Sequence, residues 1–303
     1  MWTEITQKIS QATGQSFTIA ERHSLSGGCI NQGYRVKSQQ AEYFVKLNDA
    51  AKAEMFVAEA LGLKQMSATQ TIAVPQAICW GTAGSSSYIV LQWLDLSGRS
   101  GAARSWGSPP LATASRSDRG WQEMGRQLAE MHRQGISIKF GWEMNNTIGS
   151  TPQINSWNES WADFFAEQRI GYQLKLAQRR GGSFPDRNQV VEAVRKKLSA
   201  HQPQASLVHG DLWSGNAAIG SNNSPVIFDP ATYYGDRETD LAMTELFGGF
   251  PRAFYSGYNA AWQLDAGYRE RKNIYNLYHI LNHFNLFGGG YGSQALRIIE
   301  QLI

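Results

Sequence analysis

Leu207-Val208-His209-Gly210-Asp211-Leu212-Trp213-Ser214-Gly215-Asn216, followed shortly by Val226-Ile227-Phe228-Asp229-Pro230, sets two acids and an amide at fixed offsets between short apolar runs. Asp211 and Asn216 stand five positions apart. Moving a phosphoryl group needs little covalent work from a protein. It needs cations held against phosphate oxygens and a carboxylate aimed at the attacking hydroxyl. An Asp–Asn–Asp trio can supply both, with Asp211 facing the hydroxyl and Asn216 and Asp229 offering hard oxygen ligands to Mg²⁺. A lone His-Gly-Asp run is equally compatible with a turn whose Asp bonds a nearby N–H. The joint spacing of all three residues between the strand-like runs 206–208 and 226–228 favours the site.

Upstream, residues 2–13 show Trp2, Ile5 and Ile9 at helical spacing and stop at Gly14. Residues 17–25 read as a strand leading into Ser26-Gly27-Gly28-Cys29-Ile30-Asn31-Gln32-Gly33, and a strand resumes at Tyr34. Gly27 and Gly28 could let backbone N–H groups approach phosphate oxygens, or could simply close a hairpin. Glu42–Leu47 is a further strand with Lys46 inside an apolar run, and a helix follows from near Asp49 to about Met66. Glu59, in its middle, is the expected partner of Lys46; Glu54 sits in the first turn, where acids serve as dipole or cap residues. Two more strands, 77–80 and 87–91, complete a small lobe, and Gln92-Trp93-Leu94 forms a hinge whose backbone could read an adenine edge. Residues 95–119 turn to Gly, Ser, Ala and Pro with four arginines and read as an exposed connection. Thereafter the pattern is helical. Met124, Leu128 and Met131 form one stripe, and a long helix is expected to include Trp157, Trp161, Phe164, Phe165 and Ile170; another spans 188–201. His132 reads as a packing or helix-end residue, and Asp240 as a brace for the 209–216 loop through its backbone N–H groups.

The composition of the 303 residues, 42% hydrophobic and 17% charged, is that of a globular protein, and +3 without a basic run argues against nucleic acid or a membrane surface as partner. No apolar run approaches the ~18 residues of a membrane span, the N-terminus resembles no secretion signal, and two cysteines make no disulfide framework. A cytoplasmic location is the expectation.

With these pieces in order, the chain resembles the fructosamine-kinase (ketosamine-3-kinase) family, relatives of the aminoglycoside phosphotransferases. The resemblance rests on Gly27-Gly28-Cys29-Ile30, Lys46, Met55-Phe56 with Glu59, Phe164-Phe165 with Gln168-Arg169, His209–Asn216, Phe228-Asp229-Pro230, and Gly235-Asp236-Arg237-Glu238 with Asp240-Leu241-Ala242. The chain departs from the family mainly at 95–119, where its connection is long. The resemblance implies an α+β, bilobal protein-kinase-like fold. Residues 1–93 would form a five-stranded antiparallel nucleotide-binding N-lobe with one helix, and 94–303 a mainly helical C-lobe carrying the catalytic loop, metal and acceptor sites.

It also implies ATP- and Mg²⁺-dependent phosphorylation of the sugar 3-hydroxyl of ketosamines, free or protein-bound, and a part in deglycation. Asp211 would be the base, Asn216 and Asp229 the Mg²⁺ ligands, Lys46 with Glu59 the holder of the α/β-phosphates, and Gly27-Gly28 their cover, with His209 and Asp240 as structural support. Trp213 could stack on the ketosamine or belong to the core, and Asn282 and His283 could line the sugar pocket or be satisfied inside it. Cys29, beside anion-holding N–H groups, is a candidate redox switch through a disulfide across a homodimer; the plainer reading is a small buried residue. An aminoglycoside or choline acceptor keeps the same catalytic trio. A pseudokinase is disfavoured by the presence of Asp211, Asn216, Asp229, Lys46 and Glu59 together.

Overall fold

The computed structural model describes residues 1–25, 30–96, 118–220 and 223–303. Its elements in chain order are α1 (Trp2–Thr13), β1 (Glu21–Leu25), β2 (Gln32–Lys37), β3 (Glu42–Asp49), α2 (Ala53–Ala68), β4 (Ala77–Ala83), β5 (Ser86–Gln92), α3 (Asp118–Gln134), β6 (Ile136–Ser137), β7 (Asn146–Ile148), β8 (Thr151–Gln153), α4 (Trp161–Asp163), α5 (Tyr172–Arg179), α6 (Arg187–Leu198), β9 (Ala205–Val208), β10 (Ala217–Ile219), β11 (Pro225–Ile227), β12 (Tyr233–Gly235), α7 (Glu238–Leu246), α8 (Arg252–Ala261), α9 (Tyr268–Phe287) and α10 (Tyr291–Glu300). The chain divides into two compact units. The first comprises Met1–Met131, Ser214–Pro230 and Pro251–Ala260; the second comprises His132–Trp213, Ala231–Phe250 and Ala261–Ile303. The first unit thus runs past residue 93 to Met131 and takes up 214–230 and 251–260 from the rest of the chain.

In the first unit, β1 to β5 form an antiparallel sheet in the order β1-β2-β3-β5-β4. Alternation along β3 decides what covers each face. Val45 and Leu47 join Val36, Tyr88 and Val90 against Ile5 and Ile9 of α1. Phe44, on the opposite face, joins Ile89 and Leu91 against Phe56 and Leu63 of α2. Lys46 shares the face of Phe44, so the sheet turns it toward α2. The returning segment completes this side: Ala218, Val226 and Phe228 enter the same cluster, and Ile227 N donates to Ala73 O at 3.1 Å.

In the second unit β9 lies between β12 and β6 and delivers His209. The expected long helix through Trp157 begins only at Trp161, where Ser160 Oγ accepts from Asp163 N; Trp157 lies in extended chain before it. After Asp163 the helix widens into a π-helical stretch, Phe164–Gly171, which presents Arg169 inward. The Arg169 guanidinium is fully buried, 4.1 Å from the Tyr233 ring centroid, and donates to Ile154 O at 2.5 Å and Asn155 Oδ1 at 2.7 Å. The strand expected over 17–25 is confined to β1, and the third helix ends at Leu198.

Candidate active site

The first unit brings together four of the expected residues. Lys46 Nζ donates to Glu59 Oε1 at 2.7 Å and also contacts Asp229 Oδ1. Burial alone would lower the lysine's pKa, but the two carboxylates raise it. Glu59 moves up as well, because burial and the like charge of Asp229 outweigh its share of the ammonium. One cation divided between two carboxylates leaves a net negative charge.

Asp229 holds a left-handed backbone (φ 58°), and its carbonyl accepts from Asn216 Nδ2 at 3.5 Å, while Phe228 N donates to Asn216 O at 3.0 Å. The carboxylate of Asp229 is partly exposed, whereas Asn216 is buried beside it. Hard oxygen donors carrying an uncompensated negative charge fit Mg²⁺, and the ammonium already against Asp229 shows that a cation is stabilised there. Gly27, Gly28 and Cys29 lie outside the described residues. At the hinge, Gln92 N donates to Gln76 O at 2.8 Å and its side-chain oxygen accepts from Gln76 N, so Gln92 is corrected to a strand-closing residue. Trp93 lies under the Arg35 guanidinium and packs with Leu94 on the α2-side core.

The second unit holds Asp211. Val208 ends β9, and Gly210 then takes φ 81°, a conformation that favours glycine. A Cβ there would sit 2.1 Å from Ala231 O. Gly210→Ala is therefore expected to cost about 3 kcal/mol through backbone strain and overpacking, measured by urea denaturation; an unchanged midpoint would show that the turn relaxes freely.

Asp240 braces the loop as expected. Its Oδ2 accepts from His209 N at 2.7 Å and its Oδ1 from Gly210 N at 2.8 Å. Burial works to raise the Asp240 carboxyl, but His132, His209 and the Gly210 N–H together hold it below the usual carboxylate range. Asp211 N donates to His209 Nδ1 at 3.3 Å, which makes Nδ1 the acceptor nitrogen of that ring. Asp211 and Trp213 are both partly exposed, so Trp213 is not a core residue.

Sequence reasoning missed His132. It is fully buried, and its Nε2 lies 3.0 Å from Asp240 Oδ2. Its position one turn from the end of a helix carried no signal of a partner more than a hundred residues away. Asn282 is corrected to a core residue: buried, with Oδ1 accepting from Gln173 Nε2 at 3.3 Å and Nδ2 directed at Ile148 O. His283 is partly exposed, and its Nδ1 faces the His279 carbonyl at 2.8 Å. A carbonyl only accepts, so Nδ1 carries the proton. Burial lowers the pKa of His283 and keeps its other nitrogen an acceptor.

The Gly-Asp-Arg-Glu stretch serves structure. Asp236 Oδ1 accepts from Glu238 N at the start of α7, and its Oδ2 accepts from Tyr275 Oη at 2.6 Å and meets His201 Nε2 at 2.7 Å. Glu238 accepts from Arg271 Nε and Nη2, each at 2.7 Å. His201, Asp236 and Glu238 are spaced closely enough for a metal ion, but Arg271 and Tyr275 already occupy those carboxylates, so the cluster is an ion-pair clamp.

The family model for fructosamine kinase matches residues 1–303. The chain belongs to the fructosamine kinase family. A "Probable ketoamine kinase" of Synechocystis sp. is 56% identical over 302 residues, covering 100% of this chain and 97% of that one. The chloroplastic protein-ribulosamine 3-kinase of Arabidopsis thaliana is 40% identical over 297 residues, 96% of this chain and 85% of that one. A crystal structure provisionally assigned as a fructosamine-3-kinase of Haemophilus somnus superposes with TM-score 0.89 at 30% identity, covering 100% and 98% of the two chains. A spectinomycin phosphotransferase, 12% identical with TM-score 0.58 over 99% and 93% of the two chains, shares the fold alone, which is protein-kinase-like. Among the described residues, no helix of this fructosamine kinase family member is long and apolar enough to cross a membrane.

Proposed function

We propose that the chain is an ATP-dependent ketosamine kinase of the cytoplasm, transferring the γ-phosphoryl of ATP to the sugar 3-hydroxyl. The observation that carries this reading is the buried Lys46 ammonium shared by Glu59 and Asp229, an arrangement suited to gripping a polyphosphate. Lys46, oriented by Glu59, holds the α/β-phosphates, and Trp93 and Leu94 border a nucleotide site that draws on the five-stranded sheet, α2 and the 214–230 return. Asn216 and Asp229 would hold Mg²⁺, which would supply neutralisation of the phosphate charge. Asp211 takes the proton of the acceptor hydroxyl as its oxygen forms the bond to phosphorus and the bond to the ADP oxygen breaks. The 3-phosphate then favours loss of the amine, which is the deglycating outcome.

Acceptor recognition falls to Trp213, whose ring is partly exposed two residues after the base, with His283 supplying an acceptor nitrogen. An ATP-consumption assay across free and protein-bound ketosamines of different sugar length, with the phosphorylated position assigned by NMR, tests the reaction; turnover of none of them sinks the reading. Trp213→Ala is expected to raise KM for the preferred ketosamine about tenfold while leaving KM for ATP unchanged. Equal effects on both substrates would remove Trp213 from the acceptor site.

A further inference from the structure

The second unit also carries an aromatic platform that the catalytic reading leaves unused. Phe140 and Asn158 exchange both backbone hydrogen bonds at 2.8 Å, Gly141 and Tyr234 exchange theirs at 3.0 and 2.8 Å, and Tyr234 stands opposite Leu207 in the β12–β9 register. Residues directly opposite in such a ladder share a face, so Trp157, Gly141 and Tyr234 point the same way. Gly141 contributes no side chain, and a Cβ there would lie 2.8 Å from Asn155 O and 3.0 Å from Trp157 Cα. Over that gap the rings of Trp157 and Tyr234, from segments that are not neighbours, stack with centroids 6.1 Å apart and planes 28° apart.

Trp157 nevertheless stays 47% exposed. A large ring left open on a backbone fixed from both sides is the kind of rigid anchor that dominates binding interfaces. Acids border it. Glu159 is 81% exposed and reaches Lys139 at 3.0 Å from the same face. Burial raises the pKa of the Tyr234 phenol, and the nearby Glu143 carboxylate adds to the shift.

We propose that the Trp157–Tyr234 platform docks the polypeptide of a protein-bound ketosamine, through a lysine-rich segment next to the glycated residue; the proposal rests on the ketosamine-kinase reading. The charge pattern selects this occupant. A lysine or arginine laid over the rings gains cation–π attraction and a carboxylate neighbour in Glu143 or Glu159, and a lysine-rich segment offers several such cations where a free ketosamine offers one amine. Position agrees with it. Leu207, in register with Tyr234, precedes Asp211 by four residues, which an extended chain covers in at most about 14 Å. A docked backbone could therefore send one glycated side chain to the base.

The test is equilibrium binding, by fluorescence anisotropy, of a labelled lysine-rich peptide glycated at one lysine. Trp157→Ala is expected to weaken binding about tenfold and Trp157→Phe to recover most of it, while kcat/KM for a free, small ketosamine stays unchanged. The double reversal Glu143→Lys with Glu159→Lys, on exposed positions, is expected to weaken peptide binding in the same way. Unchanged peptide affinity in both variants overturns the proposal. A matching loss with the free ketosamine also overturns it, by assigning the platform to the sugar. Because peptide binding is read without turnover, a parent protein that phosphorylates no ketosamine refutes the proposed reaction and leaves the platform result legible.

Discussion

Asp211→Asn is expected to lower kcat by about a thousandfold with every acceptor, within the range that a positioned general base contributes, while the affinity for Mg²⁺–ATP stays within a factor of about two. The substitution keeps size and shape and removes only the ability to accept the hydroxyl proton. The local scaffold does not depend on that carboxylate: the backbone N–H of Asp211 donates to His209 Nδ1, and the N–H groups of His209 and Gly210 end on Asp240. The proposed nucleotide residues keep partners of their own: Lys46 donates to Glu59 and contacts Asp229, and Asn216 donates to the Asp229 carbonyl. Initial rates together with calorimetric titration of nucleotide separate the two quantities. A kcat that falls less than about fivefold would leave Asp211 as a loop residue and move the base elsewhere; a parallel loss of nucleotide affinity would mean that the loop, rather than the proton transfer, had been damaged.

The parts of this site readable in the sequence are those in which periodicity fixes direction. Alternation along β3 places Lys46 on the face of Phe44, and the helical repeat of α2 places Glu59 on the face of Phe56 and Leu63, so their pairing follows from two local patterns that share one apolar layer. The spacing of Asp211, Asn216 and Asp229 was legible because the intervening runs are too short to be anything but strands and turns.

His132, Arg169 and Arg271 were not legible in their roles, for a common reason. Each makes its decisive contact across a long sequence separation, with Asp240, Tyr233 and Glu238 respectively, and a buried polar residue announces no partner until the chain has closed. Asn282 and Trp157 show the same limit in reverse. The sequence left Asn282 open between sugar pocket and core, and the bond from Gln173 places it in the core; helical spacing gave Trp157 a helix that begins only after Ser160. The ladder through Gly141 leaves Trp157 open.

The largest stability effect is expected at Asp240. Its carboxylate is buried and takes two backbone N–H donors, with His132 Nε2 3.0 Å away. Asp240→Ala leaves those groups without their acceptor in a site that water does not reach, so a loss of about 3–5 kcal/mol is expected, the cost of breaking a buried polar cluster by removing one member. Asp240→Asn keeps the shape and one acceptor oxygen and should lose less.

The pH dependence distinguishes charge from shape. The folded-state pKa of Asp240 lies below that of the unfolded chain, near 3.9. Protons therefore bind the unfolded state more readily, and the ionic contribution is complete above the unfolded value and is lost as the pH falls through the folded one. The stability difference between the parent and Asp240→Asn should accordingly be full at about pH 5 and above and shrink below about pH 4. Urea denaturation from pH 3 to 7 reads this directly. A difference that stays constant across that range would show that Asp240 holds the loop as a neutral hydrogen-bond acceptor. Because the same carboxylate fixes the backbone one residue before Asp211, Asp240→Asn should also reduce kcat above pH 5 in proportion to how far the loop has been released.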